Sequence, residues 1–563
     1  MRLKKKRILS LLLCLFTALS PLLTVRAETQ PGLIRVLLTR LNLTDQIEIA
    51  LDGSYTLGEI AFQRGTHLKV SCASGSLIVY YEGMAWDAGK ALTLTRHQAD
   101  AGLENGLRFQ GKYELHPGDL TLSIKNGQLR AILSAPVEEY LLGVVPYEMS
   151  DSFPLEALKA QAVAARTYAL RKAGSSQDYD VVDNTNDQAY YGVKAEHKNA
   201  AQAVRETAGL CAFYQNKLAE CFYSASNGGQ TELVSHVWGS GDYGYLTMVE
   251  DPYDLENPDS VVLSAAIPKA PRTNAELGAL RDILLDALSE PLEARGFQDD
   301  VEITGIQSAE LTTPMYRDSP SQIMTRLRLT VQVRGQKLTR QEAEEEISIF
   351  SALSSSTPQA QETQPQERLV SAEAEIAVDL EIFPTLESAL GLSINGGSNE
   401  LMRIRETENA FILESRRYGH GVGMSQRGAQ WMAATYQWTY QQILRFYYPG
   451  VTLKNIFYSF VLPSPIARTF LVTPGPAATP TPRPTLAPLL QTPGPNEYTV
   501  KVTNIGATSY LNLRTEPNTK SAVLSQLYYG QPLLVLQEQG EWLQVKTDEL
   551  TGYVMAEFVA RDQ

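Results

Sequence analysis

The sequence predicts an α+β protein with a β-rich N-terminal region, a mixed core, a proline-rich linker and a small all-β unit at the C-terminus. Residues 34–130 contain short runs of β-branched and aromatic residues separated by Gly, Asp and Asn, which is typical of short strands. An alanine-rich stretch then follows with apolar residues at helical spacing. Beyond residue 497, short apolar runs and regularly spaced turns predict strands again.

The first 27 residues have the composition of a secretory signal peptide. Basic residues precede an apolar run, and a small-residue site follows at Val25-Arg26-Ala27. The alternative is a retained membrane anchor, because the apolar run is nearly long enough to span a bilayer. Both interpretations predict a protein that acts outside the cytoplasm, either secreted to the cell wall or tethered to the membrane.

The chain of 563 residues carries a formal net charge of −14, and its basic N-terminal segment makes the remainder still more acidic. Nucleic acid is therefore excluded as an expected partner. Of four cysteines, Cys211 and Cys221 flank a predicted turn at 215–217. A three-residue loop would place them opposite each other, whereas a two-residue loop would place them on opposite faces. The sequence leaves their pairing open.

Turn and capping residues position the first elements. Asn126-Gly127 between two apolar runs predicts a hairpin. Asp151 or Ser152 is suited to cap the alanine-rich helix, and Pro154 to occupy its first turn. An insertion is predicted over about 256–380, with a helix near Asn274–Arg295, a strand pair near Val301 and Leu327, and an exposed or disordered acidic tract from residue 341.

Two long motifs carry the chemical signal. The stretch from Val144 to Tyr168 reads VVPYEMSDSFPLEALKAQAVAARTY, and the stretch from Tyr418 to Gly450 begins YGHGVGMSQRGAQW. Together they resemble the SpoIID/LytB family of bacterial cell-wall proteins. The resemblance extends weakly from about residue 34 to 462, so residues 28–465 are interpreted as one SpoIID-like domain with a mixed catalytic core around a substrate groove.

The resemblance implies a peptidoglycan lytic transglycosylase with Glu148 as its catalytic acid. Such enzymes cut the bond between MurNAc and GlcNAc and leave a 1,6-anhydro-MurNAc end. A single Glu with a pKa raised by apolar neighbours suits this reaction, because the sugar's own C6 hydroxyl is the nucleophile. A helix-terminal acid is the plainer interpretation of Glu148, and Glu138, Glu139 and Glu156 are its competitors.

The glycine-rich loop is implied to line the substrate groove beside that acid. Its candidate substrate-binding residues are His420, Gly421, Gly423, Ser425 and Gln426. His420 would either donate a hydrogen bond to a sugar or orient the catalytic acid, and a structural histidine in a tight turn is the alternative. A helix is expected to begin near Gln426.

Two further segments match the family. Ser226 and Gln230 lie in a Ser-x-Gly-Gly loop and are candidate substrate ligands, although a plain turn is nearly as good an interpretation. Arg166 lies on the alanine-rich helix, where a structural ion pair is the alternative to substrate binding.

No metal or other cofactor is expected. Some family members carry Cys and His ligands in a segment resembling CDTTHCQVY. This chain has Val182, Asn186 and Asp187 at those ligand positions, so the soft nitrogen and sulfur ligands of zinc are missing.

The C-terminal unit, residues 497–563, follows a proline-rich linker over 466–496. It resembles a bacterial SH3 domain, which implies a small all-β barrel that attaches the enzyme to peptidoglycan. Trp542 and Tyr553 are its candidate wall-binding residues, with a role in the barrel core as the alternative.

The predicted function is therefore glycan cleavage in wall remodelling, with sporulation as the implied setting. The rival interpretation is a non-catalytic LytB-like protein that enhances an N-acetylmuramoyl-L-alanine amidase. The expected partners are glycan strands and, by analogy, a wall amidase or sporulation proteins.

Overall fold

The computed structural model describes residues 32–99, 103–176, 178–239, 241–340, 367–458, 462–463, 498–503, 510–528, 531–547 and 550–561. The predicted leader 1–27, the acidic tract and the linker 466–496 lie outside the described residues. The chain divides into two compact units, Met1–Phe470 and Leu471–Gln563. No helix within the described ranges is both long and apolar enough to cross a membrane.

The N-terminal region is rich in strands, as predicted. It contains β1 (Leu33–Leu37), β2 (Gln46–Leu51), β3 (Tyr55–Leu57), β4 (Ile60–Phe62), β5 (Thr66–Ala73), β6 (Ser76–Tyr81), β7 (Met84–Asp87), β8 (Ala91–Arg96), β9 (Leu107–Phe109), β10 (Asp119–Lys125) and β11 (Gln128–Pro136). With β12 (Val181–Val182), they form a seven-stranded sheet in the order β12-β1-β11-β10-β8-β3-β4 and a five-stranded sheet in the order β7-β6-β5-β2-β9. The predicted hairpin is confirmed, because Asn126 and Gly127 both have positive φ between β10 and β11.

Four helices follow and carry the first half of the site. They are α1 (Val137–Leu142), α2 (Val145–Glu148), α3 (Leu155–Lys172) and α4 (Lys198–Glu206). The alanines of α3 are fully buried, so neighbouring elements approach its backbone closely. The predicted cap was wrong: Pro154 is the N-cap residue and no side chain caps α3. Asp151 lies too far before the helix and instead accepts a hydrogen bond from Ala200 N of α4 at 2.7 Å.

Short elements then lead into the insertion. They are β13 (Leu210–Tyr214), β14 (Lys217–Leu218), β15 (Tyr223–Ser224), α5 (Val234–Trp238) and α6 (Pro252–Glu256). Tyr214 pairs with Lys217, so the turn has two residues, as in the second of the two predicted alternatives. Cys211 and Cys221 are both buried free thiols.

The insertion forms a lobe with its own hydrophobic core, which runs from Ile267 to Leu413 and so extends past the predicted limit at 380. The predicted helix and strand pair are confirmed. The lobe contains β16 (Val262–Pro268), α7 (Leu280–Ala294), β17 (Phe297–Pro314), β18 (Met324–Arg340), β19 (Glu367–Glu381), α8 (Glu387–Ala389), β20 (Leu401–Glu406) and β21 (Ala410–Arg416). Its two sheets have the strand orders β17-β18-β19 and β16-β21-β20.

After the lobe, the chain returns to the first core. It forms β22 (Met424–Ser425), α9 (Gln426–Thr435), α10 (Tyr440–Tyr447) and β23 (Thr452–Asn455). The helix expected near Gln426 is therefore confirmed, and Ser425 caps it by accepting from Gly428 N at 3.0 Å.

The C-terminal unit is all-β. Its strands are β24 (Tyr498–Val502), β25 (Tyr510–Arg514), β26 (Val523–Tyr528), β27 (Pro532–Gln539), β28 (Trp542–Lys546), β29 (Thr551–Met555) and β30 (Val559–Arg561). They form one sheet in the order β26-β25-β29-β28-β27-β24-β30. In the described residues, β26 and β30 remain as edges, so the predicted closed barrel is not observed.

Candidate active site

A groove of about 1000 Å³ opens on the first unit beside the end of α2. Six separate parts of the chain line it: the end of α2, Tyr168 and Lys172 of α3, residues 185–191, residues 220–225, Trp238 and residues 418–426. Glu148, His420 and Gln426 are the three residues predicted for the site whose side chains face this groove.

Glu148 is the last residue of α2, and its Oε1 accepts a hydrogen bond from Ala189 N at 2.7 Å. Burial raises the pKa of this carboxyl group above its ordinary value. Hydrogen bonds from Ala189, Gln426 and Tyr223 act in the opposite direction without cancelling the effect. The group therefore keeps its proton at a higher pH than an exposed Glu does.

The glycine-rich loop is held against the strand before it. Tyr223 and Ser224 of β15 pair in parallel with Met424 and Ser425 of β22. Gly423 has φ +74°, and an added Cβ would lie 2.1 Å from the carbonyl oxygen of Phe222. Only glycine fits at this position, because the backbone approaches the neighbouring strand so closely.

His420 packs on the aromatic wall of the groove. Its ring centroid lies 5.0 Å from that of Trp238 and 6.3 Å from that of Phe222. Nδ1 accepts a hydrogen bond from Val422 N at 3.0 Å, and burial lowers the pKa of His420 to about 4. The ring is therefore neutral near pH 7 and carries its proton on Nε2.

The comparisons with known proteins agree with this architecture. Residues 125–214, which include Glu148, match the family model described as Stage II sporulation protein (SpoIID), and residues 509–560 match the Bacterial SH3 domain model. The chain carries a SpoIID domain and a bacterial SH3 domain. The glycine-rich loop at 418–426 lies outside the matched part of the SpoIID domain, although the fold brings the two together.

Several relatives that align over more than half of this chain carry names that refer to sporulation or to an amidase. An amidase enhancer of Bacillus subtilis is 30% identical over 56% of this chain, but the alignment spans only 40% of that protein. A stage II sporulation protein D of the same species is 25% identical over 62% of this chain and 82% of its own length. An uncharacterised protein of Brachyspira hyodysenteriae is 26% identical over 67% of this chain and 78% of its own.

Three other loop residues that were predicted to bind substrate face inward. Ser425 Oγ donates to Asp254 Oδ2 at 3.0 Å, besides capping α9. Gly421 has φ +73°, and an added Cβ would lie 2.8 Å from Arg417 Nε. Ser226 Oγ donates to Asp254 at 2.8 Å and is 1% exposed. These residues hold the loops in place, and their polar atoms are engaged within the protein.

Gln230 and Arg166 also lie away from the groove. Gln230 Nε2 donates to Glu250 Oε1 at 3.1 Å, and its Oε1 accepts from Gln322 N of the inserted lobe at 2.9 Å. Arg166 is fully buried and forms a two-point ion pair with Glu138, at 2.8 Å and 2.7 Å. Its contacts match the structural alternative considered from the sequence.

The three competing glutamates of the SpoIID domain are each engaged in an ion pair outside the groove. Glu138 pairs with Arg166, as above. Glu139 lies 2.6 Å from Arg96, and Glu156 lies 2.8 Å from Lys159. Among these candidates, Glu148 alone lies in the groove.

Asn186 and Asp187, two of the positions considered for metal ligands in the sequence analysis, line the groove. Asp187 accepts hydrogen bonds from Tyr168 Oη at 2.8 Å, Lys172 Nζ at 2.5 Å and Val182 N at 2.8 Å. Within the described ranges, no three His, Cys, Asp or Glu side chains are grouped as metal ligands. The Asp187 carboxylate is therefore already hydrogen-bonded to three groups of the protein, from Lys172, Tyr168 and Val182.

Sequence reasoning missed the aromatic lining of the groove. Trp238 and Tyr418 are 46% and 49% exposed, and Tyr191 stacks on Tyr147 with ring centroids 4.6 Å apart. These residues come from separate segments and follow no spacing rule. Tyr147 and Tyr418 lie within the two motifs, whereas no sequence signal marked Tyr191 or Trp238.

The SH3 domain has a smaller cleft of about 190 Å³. Trp542 lines it together with Asn512, Arg514 and Phe558. Tyr553 instead pairs with Gln544 and Arg514 within the sheet and is absent from the cleft lining. Trp542 is therefore the better positioned of the two predicted wall-binding residues.

Proposed function

We propose that this protein is a peptidoglycan lytic transglycosylase, with Glu148 as the acid that cuts the MurNAc–GlcNAc bond. The observation that carries the proposal is a single available carboxyl group of raised pKa in a groove lined by aromatic rings. Glycosidic cleavage requires protonation of the leaving oxygen, and an acid whose pKa lies closer to neutral supplies that proton efficiently.

The other groove carboxylates favour this reaction over hydrolysis. Most glycosidases need two carboxyl groups on either side of the bond. Glu148, Asp187 and Glu220 are the carboxylates among the described lining residues. Asp187 is held by Lys172 and Tyr168, and Glu220 is paired with Arg171. Of these three groups, Glu148 is the one without a charged partner. A single acid is enough when the sugar's own C6 hydroxyl attacks, because that reaction needs no second protein carboxylate.

In this mechanism Glu148 performs both proton transfers. It gives its proton to the leaving oxygen of GlcNAc as the C1–O bond breaks. The C6 hydroxyl of MurNAc attacks C1, and Glu148 accepts the hydroxyl proton, which restores the acid form. The product is a 1,6-anhydro-MurNAc end, and no water is consumed.

The aromatic surface supports a saccharide as the substrate class. Sugars present apolar C–H faces that pack on aromatic rings, while their hydroxyl groups seek hydrogen bonds at the edges of the groove. Trp238 and Tyr418 supply exposed rings. His420 and Gln426 lie on the same lining.

The rival function is enhancement of a wall amidase without catalysis. Its support is the 30% identity to the protein named amidase enhancer. We further propose that the SH3 domain attaches the protein to the cell wall outside the cytoplasm, and that the setting is sporulation, as the names of the relatives suggest.

Product analysis of purified glycan strands tests the proposal. The wild type is expected to give ends lighter by one water than hydrolysed ends in mass spectrometry. Glu148→Gln keeps the shape of the side chain and removes its proton, so cleavage is expected to fall by about 10²–10⁴-fold or more. Glu156→Gln is the matched control and should retain activity. Hydrolysed ends would reject the transglycosylase mechanism, and an active Glu148→Gln variant would reject Glu148 as the catalytic acid. No cleavage by the wild type would favour the enhancer.

A further inference from the structure

We propose that Gln188 is a positioning residue that fixes the direction of the Tyr223 hydroxyl, so that the tyrosine proton points at Glu148. No motif identified Gln188 or Tyr223 as functional. The hydrogen-bond geometry stands by itself, whereas its catalytic consequence rests on the proposed function of Glu148.

Gln188 is completely buried behind the groove and makes three polar contacts. Its Nε2 donates to Tyr223 Oη at 2.9 Å and to the carbonyl oxygen of Ala165 on α3 at 3.3 Å. Its Oε1 accepts from Tyr140 Oη of α1 at 3.1 Å. A buried amide with both ends engaged has a single stable orientation.

The orientation of this amide follows from its partners. The carbonyl oxygen of Ala165 can only accept, so the NH₂ end of Gln188 must face it. The same NH₂ end therefore reaches Tyr223, and the carbonyl end is left for Tyr140. A flipped amide would set two oxygen acceptors against each other at Ala165, which is unfavourable in a buried site.

The orientation of the Gln188 amide restricts the direction in which the Tyr223 hydroxyl can donate its hydrogen bond. A phenol has one O–H donor, and its oxygen accepts the N–H of Gln188. The hydroxyl proton must then point elsewhere, and Glu148 lines the same groove as Tyr223 and is the carboxyl group that we propose it faces. Tyr223 is itself fixed by the pairing of β15 with β22.

The resulting chain of donors runs from Tyr140 through Gln188 and Tyr223 to Glu148. It ends on a carboxylate that also accepts from Ala189 N. Donors fixed in advance stabilise the charge that appears on Glu148 when it releases its proton, and they need not reorient during the reaction. Gln188 thus helps to set how strong an acid Glu148 is, without touching the substrate.

The groups around Glu148 leave few alternatives for a pH effect. Tyr140, Tyr168 and Tyr223 have pKa values raised by burial and stay neutral. His420 also lines the groove, and burial lowers its pKa to about 4, so its ring is neutral above that pH. Lys172 and the carboxylates of Asp187 and Glu220 complete the charged groups of the lining. Lys172 is paired with Asp187, and Glu220 with Arg171.

The test measures the titration of Glu148 in the full chain by carbon-13 NMR of its carboxyl group, assigned by comparison with Glu148→Gln. Tyr223→Phe is expected to raise the pKa of Glu148, because a donor to the charged form is lost. Gln188→Met should shift it in the same direction by a smaller amount. Gln188→Glu should shift it further than Met does, because its carboxylate accepts the Tyr223 proton.

The double variant decides between positioning and a merely structural role. In the Tyr223→Phe background, Gln188→Met should cause no additional shift. An additional shift of the same size, or no shift in either Gln188 variant, would overturn the proposal. If Gln188→Met does not fold, Gln188→Leu in both backgrounds gives the same comparison, because it also removes the amide without adding a charge. Tyr55→Phe, which loses a buried hydrogen bond to Gly118 at 3.1 Å, is the control and should leave the titration unchanged.

The NMR titration distinguishes failure of the proposed catalytic function from failure of the positioning role of Gln188. If Glu148→Gln remains active but the titration shifts as expected, the positioning chain stands and the proposed function falls. If glycan cleavage depends on Glu148 but the titration does not respond to Gln188, the reverse holds. Where both stand, the pH profile of cleavage should move with the NMR titration.

Discussion

Arg417 Nη1 lies 3.2 Å from Glu232 Oε2, and the two side chains are 0% and 1% exposed. The same Glu232 oxygen accepts from Ser321 Oγ of the inserted lobe at 2.8 Å. Arg417 also donates to the carbonyl oxygens of Asn227 and Gln230. One buried charge pair therefore joins the loop before the lobe, the lobe itself and the start of the glycine-rich loop.

Removing one partner of this pair should be costly. Glu232→Gln removes the ion-pair partner of the buried Arg417 charge, so unfolding should become easier by about 3–5 kcal/mol. Thermal unfolding would measure this. Glu302→Gln breaks an exposed pair with Arg334 and should cost about 0–1 kcal/mol. Equal effects of the two variants would contradict the structural role of the buried pair.

Loss of an exposed ring from the groove should weaken substrate binding. Trp238→Ala is expected to reduce glycan affinity by about 1–2 kcal/mol, or roughly tenfold, because it removes an aromatic surface and leaves Glu148 intact. Binding by isothermal calorimetry to the inactive Glu148→Gln variant would measure it. Tyr436→Ala is the control, since Tyr436 is 45% exposed and absent from the groove lining.

The pH dependence of cleavage should follow the raised pKa of Glu148. The acid form is the proton donor, so cleavage should decline as the pH rises through that pKa, which lies above the ordinary value of 4.5. Initial rates measured from pH 4 to 8 on soluble glycan would locate the midpoint. A decline centred at or below the ordinary value would show that burial does not govern this group.

Acid should destabilise the first unit through its buried histidines. Burial lowers the pKa of His116 to about 4, below the roughly 6.5 expected in the unfolded chain. The folded state then binds fewer protons, so stability is complete above about pH 6.5 and is lost as the pH falls toward 4. The loss from His116 should be about 1–3 kcal/mol. Melting temperatures of the wild type and His116→Gln should converge as the pH falls.

The two units should work independently, with wall binding in the C-terminal unit and glycan cleavage in the first unit. Deletion of residues 497–563 is expected to reduce sedimentation with insoluble peptidoglycan and to leave the cleavage of short soluble glycans nearly unchanged. The reason is that the SH3 domain has its own buried core. Trp542→Ala should reproduce part of the binding loss, while Tyr553→Ala tests the residue outside the cleft. Equal loss of binding and turnover would contradict this modular organisation.

Local patterns predicted much of the fold. The Asn126-Gly127 hairpin, the alanine-rich helix and the helix at Gln426 depend on neighbouring residues, so the sequence contains the necessary information. The failed cap at Asp151 is different. Asp151 does accept a hydrogen bond from the first turn of a helix, but that helix is α4, which starts almost fifty residues later. Only the fold brings Asp151 close to α4.

The candidate site was predictable in part for the same reason. A motif identified Glu148, whereas the assignments of Ser226 and Arg166 depend on buried partners that no spacing rule gives. Asp254 accepts from Ser226, Ser425 and Ser260, and these three serines are widely separated in the chain. Polar side chains that bond to a buried acceptor such as Asp254 point into the protein. A sequence pattern alone would assign the same side chains to substrate binding.

The pairing of Tyr223–Ser224 with Met424–Ser425 has a consequence for the order of synthesis. The chain is made from its N-terminus, so Glu148 and Tyr223 exist long before Gln426 does. Until this part of the chain is made, the groove lacks the lining residues Tyr418, Gly419, His420 and Gln426. On the proposed function, a nascent or partly exported chain would carry the acid but no complete cleft. The capacity to cut glycan would then appear only once nearly the whole domain has been delivered.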